Sequence, residues 1–219
     1  MKIDLHIHST ASDGRLTPRE VVKLAKENNI KCIAITDHNT MEGVKEAQIE
    51  GKKLGVRVIA GVELSTRYKG KQIHLLGYFR KGYNEVLVKE ILSRVRRQKV
   101  DEIEEVYKGK LNIKKGDKRL DVKDGIALLK SLGAKIFIAH PVKILEEDLK
   151  EIVKLGIDGI EAIHPRHTDE KIKYFINFAI KNKIKYSAGS DFHKKNSKNP
   201  KHGTIGEFYL EVSKLREVL

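Results

Sequence analysis

KIDLHIHSTASDGRLTP, residues 2–18, sets the reading of the whole chain. Lys2–Ser9 alternates apolar with polar side chains and reads as a strand. His6 and His8 stand two apart on it, so both project from one face. The polar ASDG turn that follows carries Asp13. Thr17-Pro18 then supplies a helix N-cap with proline at the first helical position and Glu20 near the cap. A strand, a turn bearing acid and imidazole, and a capped helix make one α/β unit, with its reactive side chains at the junction.

Outward from this unit the pattern repeats. Strands are predicted at Lys31–Asp37, Arg57–Ser65, Gln72–Phe79, Lys135–Pro141, Gly156–Ile163 and Lys185–Ser190. Helices are predicted at Pro18–Asn28, Met41–Leu54, Asn84–Tyr107, Val122–Leu132, Glu146–Leu155 and Thr168–Lys181. Strands joined mostly by helices indicate a parallel α/β sheet or barrel. The RYKGK stretch between Glu63 and His74 is too short for a helix and predicts a β-hairpin. Lysine-rich Gly109–Arg119 is the one long loop expected, and no repeat or low-complexity tract appears, so 1–219 reads as a single domain.

Composition narrows the class. At 40% hydrophobic and 34% charged residues the chain is that of an ordinary globular protein. No apolar run has the roughly 18–20 residues of a membrane span, and the first residues lack a signal-peptide pattern. A lone Cys32 inside the apolar run CIAIT reads as a buried structural thiol. Together these features point to a cytoplasmic protein with neither a membrane nor an obligate protein partner. The formal charge is +14, from 44 Lys and Arg against 30 Asp and Glu. Such a field draws anionic substrates, nucleotides and nucleic acid among them, although selection for heat stability also enriches lysine.

The histidines fall on the same predicted strand ends. Asp37 and His38 close the second strand, Glu63 the third, and His74 lies on the hairpin. His140 closes the next strand, Glu161 and His164 the one after, and Asp191 and His193 the last. In α/β barrels that rim is where active sites assemble. Imidazoles and carboxylates without thiolates suit Zn²⁺, Mn²⁺ or Fe²⁺ at a catalytic centre and argue against a structural zinc site.

DLHIHSTASDG (4–14), ITDHNT (35–40), GVELS (61–65), HLLGY (74–78), IAHP (138–141) and GSDFH (189–193) together resemble the polymerase and histidinol phosphatase superfamily over nearly the whole chain. Within it, the stretch from Gly159 to His193 is most similar to phosphoesterases acting on nucleotides and oligonucleotides. The resemblance implies a distorted (β/α)₇ barrel holding two to three divalent ions. It assigns His6, His8, Glu63 and Asp191 to one ion and Glu63, His74 and His140 to a second, with Glu63 bridging. Asp13, His38 and His193 take the third. Every ligand type is present in this sequence, which favours an enzyme over a binding module.

Such ions would hold phosphate oxygens, offset charge in the transition state and acidify a shared water, so that a hydroxide attacks phosphorus directly. Ser9, Ser12 and Ser190 are then turn residues, not nucleophiles. Glu63, Asp191 and His167 are the expected catalytic residues, and Arg166 and His167 match the family position where a basic residue meets phosphate. Arg94 and Arg97, three apart on a predicted helix, are candidates for a guanidinium clamp or for a solvated surface. Asp37 is expected to orient a ligand imidazole. His164 is open between support and substrate contact, and His202 between surface and leaving group.

The expected substrate is a phosphorylated small molecule or short nucleic acid. The alternatives are a histidinol-phosphate-type metabolite phosphatase and a nucleic-acid-binding or proofreading module. Larger relatives carry a helical lid before the IAHP strand. Here about thirty residues separate Tyr107 from His140, enough for a loop and one helix.

Overall fold

A computed structural model describes residues 2–107, 111–195, 199–211 and 213, so Gly109 and Lys110 of the expected loop lie outside the described residues. The elements in chain order are β1 (Lys2–Ile7), α1 (Pro18–Glu27), β2 (Cys32–Ile35), α2 (Val44–Leu54), β3 (Arg57–Tyr68), β4 (Lys71–Phe79), α3 (Glu85–Arg96), β5 (Leu120–Asp121), α4 (Val122–Ser131), β6 (Ala134–Ile138), α5 (Glu146–Lys154), β7 (Gly159–Ile163), α6 (Asp169–Lys181), β8 (Lys185–Ala188) and β9 (Leu210–Glu211). Helix starts follow local chemistry. Thr17 and Glu20 form a reciprocal capping box with Pro18 in the first turn, while Asn84, Asp121 and Thr168 cap α3, α4 and α6 through their side chains.

The sheet runs β8-β7-β6-β4-β3-β2-β1-β9, with β5 paired to β3. β4 is antiparallel to both β3 and β6, and the remaining pairs from β8 to β1 are parallel. At the upper end β1 also meets the chain beyond β8. Ile7 bridges Phe192 and the His8 N–H donates to the Phe192 carbonyl at 2.9 Å, bringing the sheet nearly to a closed, distorted seven-stranded barrel. The turn joining β3 to β4 is Lys69-Gly70, both at positive φ (48° and 77°), which suits a two-residue hairpin loop.

Two apolar layers result. One lies between sheet and helices and includes Val21, Ile33, Leu64, Leu75, Ile138 and Phe175. The other plugs the barrel interior with Ile3, Leu5, Cys32, Leu76, Tyr78 and Phe137. Ile3 and Leu5 face inward with that plug, yet so do His6 and His8 above it. A register irregularity between Asp4 and Ile7 changes the alternation and makes this possible. Cys32 is 2% exposed, and burial pushes its thiol up to about 12.

Three expectations need correction. Glu63 does not end its strand: β3 continues to Tyr68 because β4 pairs with it all the way to the hairpin tip. His74 sits near the amino end of β4, not at a carboxyl end, and reaches the common rim because β4 runs the opposite way. The helix predicted to reach Tyr107 stops at Arg96, where Gln98 turns left-handed (φ 58°) and a 3-10 helix, Val100–Glu105, buries Val100 and Ile103.

Candidate metal centre

Glu63 is the hub. It is 1% exposed, and its two oxygens face five imidazoles. Oε1 lies 2.7 Å from His74 Nδ1 and 3.0 Å from His140 Nε2. Oε2 lies 3.1 Å from His8 Nε2, 3.2 Å from His6 Nε2 and 3.2 Å from His38 Nδ1. Asp191 Oδ1 approaches the same His6 and His8 nitrogens at 3.5 and 3.3 Å. Beside them Asp13, half-exposed on the 9–14 turn, faces His193 at 3.4 Å and His38 at 3.8 Å.

Ligand-capable atoms within 4.8 Å of one another form the groups His6–His8–Glu63–Asp191, His8–Asp13–His38–His193 and His38–Glu63–His74. These correspond closely to the sets expected for the first and third ions. The expected second set, Glu63, His74 and His140, meets at one oxygen, Glu63 Oε1.

The rings are set for metal binding by what holds their far sides. His6 Nδ1–H donates to Glu161 Oε1 at 3.0 Å, which turns the Nε2 lone pair toward Glu63. His193 Nδ1–H donates to the Asp191 carbonyl at 2.8 Å, leaving Nε2 toward Asp13. Acceptors behind ligand imidazoles fix tautomer and direction in this way. His6 Nε2 and His8 Nε2 come within 3.1 Å of each other. Among the described residues, buried His38 Nδ1 and His164 Nε2 lack a partner in hydrogen-bond geometry, although Glu63 Oε2 and Asp191 Oδ2 lie 3.2 and 3.4 Å away. Inward lone pairs, such imidazole nitrogens and several carboxylates, with no thiolate, fit divalent ions.

Carboxylates and imidazoles in the cluster perturb one another's ionisation. Burial alone would raise the Glu63 pKa, but His74, His38, His6 and a hydrogen bond from His140 hold it well below the ordinary carboxylate value. Burial likewise opposes ionisation of Asp191, and His6, His164, His202 and His8 reverse the effect. Burial works against a proton on His8, yet hydrogen bonds to Asp191 and Glu63 push its pKa up to about 9. His38 goes the other way, lowered to about 4 chiefly by burial. Protons and divalent ions therefore compete for these nitrogens.

Not every expected residue reaches the cluster. Arg166 does: its guanidinium lies 3.4 Å from Asp191 Oδ2 and borders the adjoining cleft. His167 does not face that opening. It is 6% exposed, with Nδ1–H donating to the Ala162 carbonyl at 2.8 Å and its ring between His164 and Phe175, so burial corrects the expected substrate contact to a supporting place behind His164.

The arginine clamp is corrected as well. Arg94 turns to Glu90 and the Glu102 carbonyl, and Arg97 turns back onto Ser93. Asp37 holds no imidazole. It accepts from Ser9 N and Oγ at 2.7 Å each and from Ser12 Oγ at 2.6 Å, fixing the turn that carries Asp13. His202 Nδ1–H donates to the Asp191 carbonyl at 2.9 Å, and its ring lies 4.1 Å from that of His193. Sequence reasoning left Glu161 without a role, although it is a fully buried acid that holds both His6 and the His140 N–H. Its place on a strand three residues before His164 was the available signal.

A nearly closed barrel with clustered imidazoles and carboxylates able to hold metal ions at one rim defines a class of metal-dependent α/β proteins. The PHP domain model matches residues 4–205, and the chain belongs to that family. Its sequence is 26% identical over 254 aligned positions to the phosphoribosyl 1,2-cyclic phosphate 1,2-diphosphodiesterase of Eggerthella lenta, covering 91% of this chain and 97% of that protein. It is 47% identical over 76 residues to a 5'-3' exoribonuclease of Haemophilus influenzae, a match that spans 35% of this chain and only 28% of that protein. A solved Bifidobacterium adolescentis structure, described as a metal-dependent phosphoesterase, shares the fold. Its TM-score is 0.81 at 20% identity, over 99% of this chain and 95% of that one.

Proposed function

We propose that this chain, a metal-dependent phosphoesterase, hydrolyses phosphate esters of nucleotides or short oligonucleotides. We further propose that it holds two to three divalent ions, Mn²⁺, Zn²⁺ or Fe²⁺, among His6, His8, Asp13, His38, Glu63, His74, His140, Asp191 and His193. The observation that carries this reading is the Glu63 hub, with five imidazoles within 3.2 Å of one carboxylate. Bound there, divalent ions supply charge neutralisation for phosphoryl oxygens and acidify a water.

The chain's own residues do the rest. Glu161 and the Asp191 carbonyl keep imidazole lone pairs pointed inward, and Asp37 braces the turn that presents Asp13. Arg166 offers a guanidinium to a phosphate oxygen at the rim. Next to it opens a cleft of about 430 Å³, walled by Tyr68, Ile73, Val142 and Ile144 with Lys71 and Lys143 at its edges. An apolar slot with a few cations, of a size suited to a small ligand, fits a nucleoside beside its phosphate. The names of the relatives, an exoribonuclease and a phosphoribosyl cyclic phosphate diphosphodiesterase, support a ribose-borne phosphate ester. No helix among the described residues is long and apolar enough to cross a membrane. A free, buried Cys32 accords with a reducing cytoplasmic setting.

The test is metal analysis of the purified protein together with a substrate panel assayed with Mn²⁺. The panel holds nucleoside mono- and bisphosphates, short 5'-phosphorylated RNA and histidinol phosphate. Metal above one ion per chain and turnover of the nucleotide members are expected. Turnover of histidinol phosphate alone would move the assignment to metabolite phosphatases, and turnover of none would overturn it.

A further inference from the structure

Gln72 and His74 stand two apart on β4 and so share one face of it. The Gln72 side-chain nitrogen lies 2.7 Å from His74 Nε2, and the other ring nitrogen, Nδ1, lies 2.7 Å from Glu63 Oε1. One edge of the His74 ring thus faces the cluster and the other a neutral amide. The hairpin tip next to them is tied to α5, where Lys69 Nζ meets Asp148 Oδ1 and Glu151 Oε2 at 2.8 Å each.

The partner behind His74 differs in kind from those behind His6 and His193. The Glu161 carboxylate behind His6 and the Asp191 carbonyl behind His193 can only accept a proton. A glutamine amide can donate through its nitrogen or accept through its oxygen, and a half-turn about its terminal bond exchanges the two. In the arrangement seen, His74 Nδ1–H donates to the Glu63 carboxylate and Nε2 accepts from the Gln72 amide. An ion shared by Glu63 and His74 would take the place of the Nδ1 proton, which goes to solvent. A neutral ring then carries a proton on Nε2, and after the half-turn the Gln72 oxygen accepts it.

We infer, resting on the metal-centre reading above, that Gln72 is a positioning residue for His74. Its amide turns over as the ring's proton moves from Nδ1 to Nε2, and it sets how tightly the ion between Glu63, His74 and His140 is held. Partners behind ligand imidazoles typically change metal affinity by about 10–100-fold.

The test titrates chelator-treated wild type, Gln72→Met, Gln72→Glu and Arg67→Gln with Mn²⁺, reading free Mn²⁺ by electron paramagnetic resonance. Gln72→Met keeps the length of the side chain without its polar end, and Gln72→Glu offers only acceptor oxygens. Arg67 lies opposite Gln72 across the hairpin, so Arg67→Gln makes the same change of charge nearby without touching the ring. Gln72→Met should weaken one ion by about tenfold or more and leave the others within about threefold. Gln72→Glu should bind that ion more tightly than either wild type or Arg67→Gln. In Zn²⁺-loaded wild type the His74 ring proton, located by proton–nitrogen NMR couplings, should sit on Nε2. Equal affinities in Gln72→Met and wild type, a Gln72→Glu no tighter than Arg67→Gln, or a ring proton on Nδ1 would each overturn the inference. Wild type that takes up less than one Mn²⁺ per chain overturns the metal-centre reading and the inference together. Affinities in the expected order, in a protein that hydrolyses no phosphate ester, refute the phosphoesterase reading and leave the role of Gln72 standing.

Discussion

Glu63→Gln changes one oxygen to an amide and removes one charge, with almost no change in volume. That charge faces His6, His8, His38, His74 and His140 at 2.7–3.2 Å, so it lies between the proposed first and second ion positions. At an effective dielectric of about 20, opposite unit charges about 4 Å apart attract by about 4 kcal/mol. That corresponds to about a thousandfold in affinity for each ion that Glu63 holds. The assay is metal content after desalting, by mass spectrometry, with kcat/KM measured across a Mn²⁺ titration. Glu63→Gln should emerge short of about two ions and be rescued poorly by added metal. His193→Asn removes the imidazole that faces Asp13 and donates to the Asp191 carbonyl, and leaves Glu63 in place. It should lose about one ion and respond to added Mn²⁺. Equal metal content and equal activity losses in the two variants would refute the bridging role of Glu63.

Chelator-treated protein should be most heat-stable near pH 6.5. His8, raised from 6.5 to about 9, adds stability that is fully present below 6.5 and lost as pH rises through 9. His38, lowered from 6.5 to about 4, weakens the fold only as pH falls below 6.5. Metal-loaded protein should keep its melting temperature between pH 6.5 and 9, because ions replace the His8 proton; parallel curves for the two forms would contradict this. Asp4→Ala removes the buried acceptor for the N–H groups of Ser190 (3.0 Å) and Gly206 (2.9 Å). Denaturant unfolding should show a loss of about 2–4 kcal/mol. Gly189→Ala would place a Cβ 2.2 Å from that of His6. It should therefore lower metal content and activity far more than secondary structure by circular dichroism.

Local pattern carried the architecture a long way. Alternation, caps and the Lys69-Gly70 turn locate strands β1 to β4 and helices α1 and α2 to within a few residues. The short strands β5 and β9 escaped because a two-residue strand has no period to read; each exists only through its partner, β3 or β1. Reactive residues were legible as a set, since polar imidazoles and acids gathered at strand ends contribute little to an apolar core and much to a metal centre. Which way each side chain faces was less so. The inward turn of His6 depends on a register shift between Asp4 and Ile7 that no local rule signals. Arg94 and Arg97 are turned onto Glu90, the Glu102 carbonyl and Ser93, partners that a three-residue spacing alone does not reveal. His167 and Asp37 were misassigned for a similar reason: their partners, Phe175, Ser9 and Ser12, are set by packing between elements.

The order of the ligands along the chain has a consequence for biosynthesis. His6 and His8 leave the ribosome first, and Asp191 and His193, which complete their groups, nearly two hundred residues later. At about 5–20 residues per second, the first imidazoles wait on the order of ten to forty seconds for their last partners. During that interval a nascent chain can offer only partial, open sets of donors. Under the proposed metal assignment, tight ion capture is thereby a late event that requires a finished barrel.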